Sequence, residues 1–358
     1  MNSEIKNYLS IRIKQARKMA GMSLQELSDS LNNLVTKQAL SKYEQGAMNP
    51  TNEVLIALSK SLNVKPEYFL KKEILNLSNI SFRKKTTLLK NTEESIIEKA
   101  KDYVERFLEL ESILGIESTF VNPLSKLVIK DKNDTSKAAS LLRDNWNLGN
   151  NPIPSLIETL ELNGVKVLLI DEVDEIDGFS FLVDSSIPVV IVNTNSKPIE
   201  RIRFTLIHEL AHILLNFDSK HIFENKEIER LCHHFASSFL IPSEKLIAMI
   251  GGLHRSYINI KELISIKEYY GISIRATVHR LLEIEVISQT YYQRWMIYMS
   301  KTYGQKNEPG KYVGDERLRL FEQLMNRALA EDFISLSKAA SLMNVSINKI
   351  RKDIASVR

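Results

Sequence analysis

The chain of 358 residues is 44% hydrophobic and 26% charged, carries a formal net charge of +4 and holds one cysteine. Length suggests two or three domains and the balance is ordinary for a soluble globular protein, while the lone Cys232 excludes an intrachain disulfide or a multi-thiolate zinc site. No apolar run approaches the roughly 20 residues that span a bilayer, and MNSEIKNYLSIRIKQARK lacks a signal peptide's apolar stretch, so a cytoplasmic protein with no membrane partner is expected.

Charge is uneven along the chain. Residues 1–72 hold eleven Lys or Arg against six Asp or Glu, about +5, which leaves about −1 for the remaining 286. This basic segment, SIRIKQARKMAGMSLQELSDSLNNLVTKQALSKYEQGAMNPTNEVLIALSKSLNVKPEYFL, is read as four or five short helices. Ser23 with Glu26 forms a capping box, Thr36 caps the next helix, and the turn NNLV lies between them. The pattern resembles the Cro/repressor-type (XRE) helix-turn-helix family, with SLQELSDSL as first motif helix and TKQALSKYEQG as recognition helix. Such a helix enters the major groove of double-stranded DNA. The resemblance implies base contacts from Lys37, Gln38, Ser41 and Lys42, and phosphate contacts from Gln25 and Arg17. Ala39, Leu40 and Tyr43 are packing positions. Two-fold DNA sites engage two such helices about 34 Å apart, which makes a homodimer a candidate assembly.

Further along, SFRKKTTLLK reads as a basic linker, followed by a long amphipathic helix from about Glu93 to Leu114 with Ile96, Ile97, Ala100, Val104, Phe107, Leu108 and Leu110 at helical spacing. This helix can pack on the following domain or pair with a second chain, and packing within the chain is favoured. GVKVLLI, GFSFLV and IPVVIVN are β-branched runs bounded by turn residues, which predicts a small sheet. An edge of that sheet can hold an extended substrate by strand addition.

After the strands comes ERIRFTLIHELAHILLNF, residues 200–217, where His208 and His212 stand four apart and share one helical face beside Glu209. Two of the chain's seven histidines at this spacing point to a metal rather than to core packing. A catalytic zinc keeps three protein ligands and an open position, and lowers the pKa of water to about 7. Glu209 would then be the base. A third ligand is expected from NKEIERLCHHFASSFLIP, a helix closed by Pro242, on which Glu229 shares a face with His233 and Ala236 while Glu227 points away. Glu229 is the favoured ligand, His233 its rival, His234 a surface residue and Cys232 a small buried one.

These two helices resemble the ImmA/IrrE metallopeptidases, which pair R-F-T-x-x-H-E-L-x-H with E-x-x-A-x-x-F-A-x-x-L-x-P. The resemblance spans roughly residues 136–245 and implies metal ligands His208, His212 and Glu229, a catalytic Glu209 and a zinc cofactor. Cys232 stands at the family's alanine and His233 at its Asn or Asp.

Toward the end, KNEPGKYVGDE reads as an exposed loop. DFISLSKAASLMNVSINKIRKDIAS reads as a helical hairpin turning at Asn344, with Ser346 capping a helix that carries Lys349, Arg351 and Lys352, and is taken as an ordinary basic surface. An α+β multidomain chain is therefore expected: an all-α helix-turn-helix domain (1–72), a linker and long helix (73–135), a zincin-like α+β metallopeptidase domain (136–250) and a helical C-terminal region (251–358). The resemblance implies a DNA-binding regulator that cleaves a repressor- or antitoxin-like protein. The alternative is a regulator whose protease-like domain senses a metal or ligand without cleavage; an intact His208, Glu209 and His212 favours the former, because sensing needs no base.

Overall fold

The computed structural model describes residues 3–71, 90–116, 119–171, 176–183, 186–218, 223–253, 255, 257–305 and 307–355. Most of the expected basic linker, 81–89, lies outside them. No helix among the described residues is long and apolar enough to cross a membrane. Packing gathers these residues into two compact units, one holding 3–71, 90–116 and 321–355, the other 119–320.

The first unit starts with α1 (Ser3–Met19), α2 (Leu24–Ser30), α3 (Lys37–Glu44), α4 (Asn52–Ser61) and a 3-10 turn at Pro66–Leu70. Ile13, Ala16, Leu27, Leu40, Leu58 and Phe69 form its core. The capping box forms as expected, the Glu26 amide donating to Ser23 Oγ at 3.1 Å and the Ser23 amide to Glu26 at 2.7 Å. Between α2 and α3 the chain reverses through Asn32 and Asn33 at φ 52° and 57°, left-handed values that asparagine tolerates better than most side chains.

Next comes α5 (Lys90–Ile113), which packs on α1. Ser95 donates to the Met19 carbonyl at 2.7 Å, and Arg12 pairs with Glu105 at 2.7 Å. The long helix thus closes the helix-turn-helix unit, because its apolar face meets the helix that most needs covering.

The second unit comprises β1 (Val128–Ile129), α6 (Lys132–Asn145), α7 (Leu156–Leu162), β2 (Lys166–Ile170), β3 (Gly178–Val183), β4 (Ile187–Asn193), α8 (Ile199–Leu214), β5 (Asn216–Phe217), α9 (Asn225–Leu240), α10 (Ser243–Met249), α11 (Ile260–Tyr270), α12 (Ile274–Glu283) and α13 (Gln289–Tyr303). All three expected strands form one sheet in the order β2-β4-β3, with β4 parallel to β2 and antiparallel to β3. β4 is almost wholly buried, as a central strand must be. α8 lies against β3 and β4, and α9 packs between α8 and α6.

The chain returns to the first unit with α14 (Leu320–Ala330), α15 (Leu336–Leu342) and α16 (Ile347–Ala355). Residues 251–358 are consequently divided, α11–α13 completing the second unit and α14–α16 the first. Phe321 packs on Phe107 of α5 at 5.5 Å between ring centroids, an apolar contact that draws the last helices to the first.

Candidate functional site

α8 runs through a nearly continuous buried stretch, which leaves its two imidazoles on one face. His212 Nε2 lies 3.2 Å from His208 Nε2. Glu229 of α9 closes a triangle, one carboxylate oxygen 3.3 Å from His208 Nε2 and the other 3.4 Å from His212 Nε2. Ligand atoms about 2.0–2.1 Å from a tetrahedral ion stand roughly 3.3 Å from one another. The three spacings therefore match one face of a metal tetrahedron, and two imidazoles with a carboxylate suit a divalent transition ion.

His233 is exposed beside this triangle, its ring stacked on that of His208 at 4.3 Å and also on Phe204 at 5.6 Å. Ligand atoms of His208, Glu229 and His233 all lie within 4.8 Å of one another, so this trio too could hold an ion. The shorter spacings favour His212 as the third member. Behind it, Cys232 Sγ lies 3.5 Å from His212 Nδ1, the nitrogen turned away from Glu229. Cys232 is buried as expected, and its sulfur fills the place where an imidazole ligand commonly finds an oxygen acceptor.

Glu209 is buried next to the pair, against β3. Ser180 of β3 donates to the Glu209 carbonyl at 2.8 Å, with its Oγ also 3.3 Å from the carboxylate. That approach requires Gly178: a Cβ there would come within 2.6 Å of the Ile191 carbonyl and 2.7 Å of the Thr205 side chain.

On the first unit, α3 presents Lys37, Gln38 and Lys42 to solvent, with Ser41 half-buried and accepting from Gln45 Nε2 at 3.2 Å. Leu40 and Tyr43 are buried as packing residues. Gln25 is exposed and donates to Asp29 at 2.9 Å. Arg17, the other expected phosphate contact, grips Glu44 with its guanidinium at 2.6 and 2.9 Å and donates to the Met22 carbonyl at 2.7 Å. Two of these nitrogens fasten α1 to α3 and the third holds the connection that leads into α2.

The family named Helix-turn-helix matches residues 13–69, and the IrrE N-terminal-like domain matches residues 161–282. The HTH-type transcriptional regulator ImmR of Bacillus subtilis (strain 168) is 33% identical over 94 residues, 26% of this chain and 68% of that protein. The chain joins an XRE-type helix-turn-helix to an ImmA/IrrE-type peptidase domain.

Within the peptidase domain, several supporting residues escaped sequence reasoning. His234, expected at the surface, is buried: Arg280 donates to its Nε2 at 2.9 Å, and its Nδ1 lies 2.6 Å from Thr135 Oγ1. Since arginine can only donate, Nδ1 carries the ring proton and the imidazole is neutral. Burial, with Arg280 nearby, pushes its pKa down to about 4. This link fastens α9 to α6 and α12, and so holds the helix bearing Glu229. The signal was present in the spacing, three residues after the buried Leu231 and four before the buried Ser238.

Arg203 anchors α8 in the same way. Its side chain is fully buried, donates to the carbonyls of Gly271 at 3.2 Å and Ile153 at 2.8 Å, pairs with Glu316 and lies over the Tyr312 ring at 4.7 Å. Glu316 also accepts from the Leu156 and Ile157 amides at 3.0 and 2.9 Å, while Glu308 accepts from those of Ile274 and Arg275 at 2.7 and 3.0 Å. Of KNEPGKYVGDE, expected as an exposed loop, residues 307–316 are accordingly a strap. It lacks regular structure, yet Glu308 and Glu316 cap two helix N-termini, where partial positive charge favours them.

Proposed function

We propose that this protein is a DNA-binding regulator whose peptidase domain is a zinc endopeptidase acting on a regulatory protein of repressor or antitoxin type. The observation that carries this reading is the 3.2–3.4 Å triangle of His208, His212 and Glu229 with Glu209 at its side. Bound there, zinc supplies Lewis-acid activation of water and of the scissile carbonyl. His208 and His212 offer Nε2, Glu229 its carboxylate, and the Cys232 sulfur keeps the proton of His212 on Nδ1. Glu209 takes the proton from the attacking water and returns it to the departing amine. Ser180 steadies that carboxylate from β3. β3 has no second strand partner among the described residues, so its outer edge is the place for an extended substrate to add as a strand.

A second reading rests on His233. Were this exposed ring a fourth ligand, the site would be closed in the manner of structural zinc sites, and the domain would sense metal without cutting. New protein N-termini in cells expressing the full chain, compared with cells expressing Glu209→Gln, separate the two. The peptidase reading expects termini that depend on Glu209 and vanish on metal chelation. Identical termini in both cell lines, or full metal occupancy in His208→Ala, would overturn it.

A further inference from the structure

α15 and α16 repeat the construction of α2 and α3. Both first helices have seven residues and a serine cap, Ser335 Oγ accepting from the Lys338 amide at 3.2 Å as Ser23 accepts from Glu26. Both connections pass through left-handed asparagine, Asn344 at φ 53° beside Asn32 and Asn33 in α2–α3. Both second helices open on a hydroxyl cap, Ser346 Oγ accepting from the Lys349 amide at 3.2 Å where Thr36 accepts from Ala39 at 3.3 Å. The connection is four residues, 343–346, against six in the first pair, 31–36, so the second pair turns more tightly.

Aligning the two hydroxyl caps places Ile350 over Leu40, and both are buried. The same alignment carries the α3 positions Lys37, Gln38, Ser41 and Lys42 onto Ile347, Asn348, Arg351 and Lys352. All four of these, with Lys349, are exposed on α16. Among the described residues none of Lys349, Arg351 and Lys352 is held in an ion pair. This contrasts with Lys338 on α15, which pairs with Glu109 of α5.

We propose that α14–α16 form a second DNA-binding element, with α16 as a recognition helix for the major groove of duplex DNA. The chemistry at the aligned positions is that of base readout. Asn348 carries the carboxamide that reads adenine, Arg351 the fork that reads guanine, and Ile347 offers an apolar surface to a thymine methyl. Lys349 and Lys352 serve phosphates. The element is fixed within its unit: Arg106 of α5 donates to the Leu342 carbonyl at 2.7 Å, and Asn344 Nδ2 to the Asn63 carbonyl at 3.4 Å. One chain then presents two recognition helices, which removes the need for a homodimer to supply the second. A basic hairpin that merely meets solvent would need neither the exposed Asn348 and Arg351 nor the match to α3.

The full chain tests this, by selection from random duplex DNA followed by titration across salt concentrations. The arms are the native protein, Gln38→Ala with Lys42→Ala on α3, and Lys349→Ala with Arg351→Ala and Lys352→Ala on α16. The α16 variant is expected to bind the selected site tenfold or more weakly and to lower the slope of log affinity against log salt by about 2–3. The α3 variant is expected to retain a selectable sequence that disappears only when the α16 substitutions are added. Arg351→Lys should keep the salt slope and lose the base preference, because a point charge cannot reproduce the bidentate fork. Every substituted side chain is exposed, so melting temperatures should agree with the native protein. Native affinity, footprint and salt slope in the α16 variant would overturn the proposal while leaving the α3 reading untouched.

Discussion

On α3, Lys37, Gln38 and Lys42 meet solvent above an apolar floor of Leu40 and Tyr43, and a single ion pair of Glu44 with Arg17 of α1 fastens the end of the helix. On α8 and α9, by contrast, the triangle of His208, His212 and Glu229 is backed by Arg203 beneath one helix and by His234 with Arg280 beneath the other, all buried. On the proposed function, the difference follows from what each surface does. A groove-reading helix meets long polar side chains with a partner that supplies the other half of the geometry, so flexible lysines suffice. A metal site needs its ligand atoms placed to within a few tenths of an ångström before the ion arrives, and only helices locked against neighbours achieve that.

Substitutions on the two surfaces should break in opposite ways. The largest effect is expected from Glu209→Gln, which removes the proton acceptor at nearly constant shape. Cleavage should fall about a hundred- to ten-thousand-fold while bound metal and melting temperature stay at native values, and a variant keeping more than a tenth of the rate would sink the assigned role. Arg203→Met should cost roughly 3–5 kcal/mol in the peptidase unit, because it leaves Glu316 buried without its charge partner. Calorimetry reads this as a lowered transition for that unit alone.

Acid titration sharpens the same contrast through His234. Its folded pKa of about 4 lies below the ordinary value near 6.5, so the unfolded chain binds more protons between these limits. Stability is complete above pH 6.5 and is lost as pH falls toward 4, by roughly 3 kcal/mol. The groups facing the ring are Thr135, Arg280, Glu283, Lys132 and His279, and His234→Gln should flatten this part of the stability profile. On the helix-turn-helix, Arg17→Ala should cost about 2 kcal/mol and leave the salt slope of DNA binding unchanged, since its charge is spent on Glu44. Gln38→Ala with Lys42→Ala should weaken the preferred sequence about tenfold with no change in melting temperature, measured by fluorescence anisotropy. A large drop in stability from that pair would mean that the exposed face carries structure after all.

The helices, caps and strands were legible in the residues because each rests on local spacing. Ser23 with Glu26, Thr36, and the runs GVKVLLI, GFSFLV and IPVVIVN depend on neighbours within a turn or two, and they form as expected. His208 and His212 were equally plain, since four residues of helix put two side chains on one face in any context. Pairings across long separations were not legible. Arg17 with Glu44, Arg203 with Glu316, and His234 with Thr135 and Arg280 join residues 27, 113, 99 and 46 apart in the chain. A charged or imidazole side chain looks the same in sequence whether it meets water or a buried partner, because the spacing within its own helix does not reveal what packs against that helix. Which unit claimed the long helix and the last three was settled the same way, by which apolar faces met once the chain had folded.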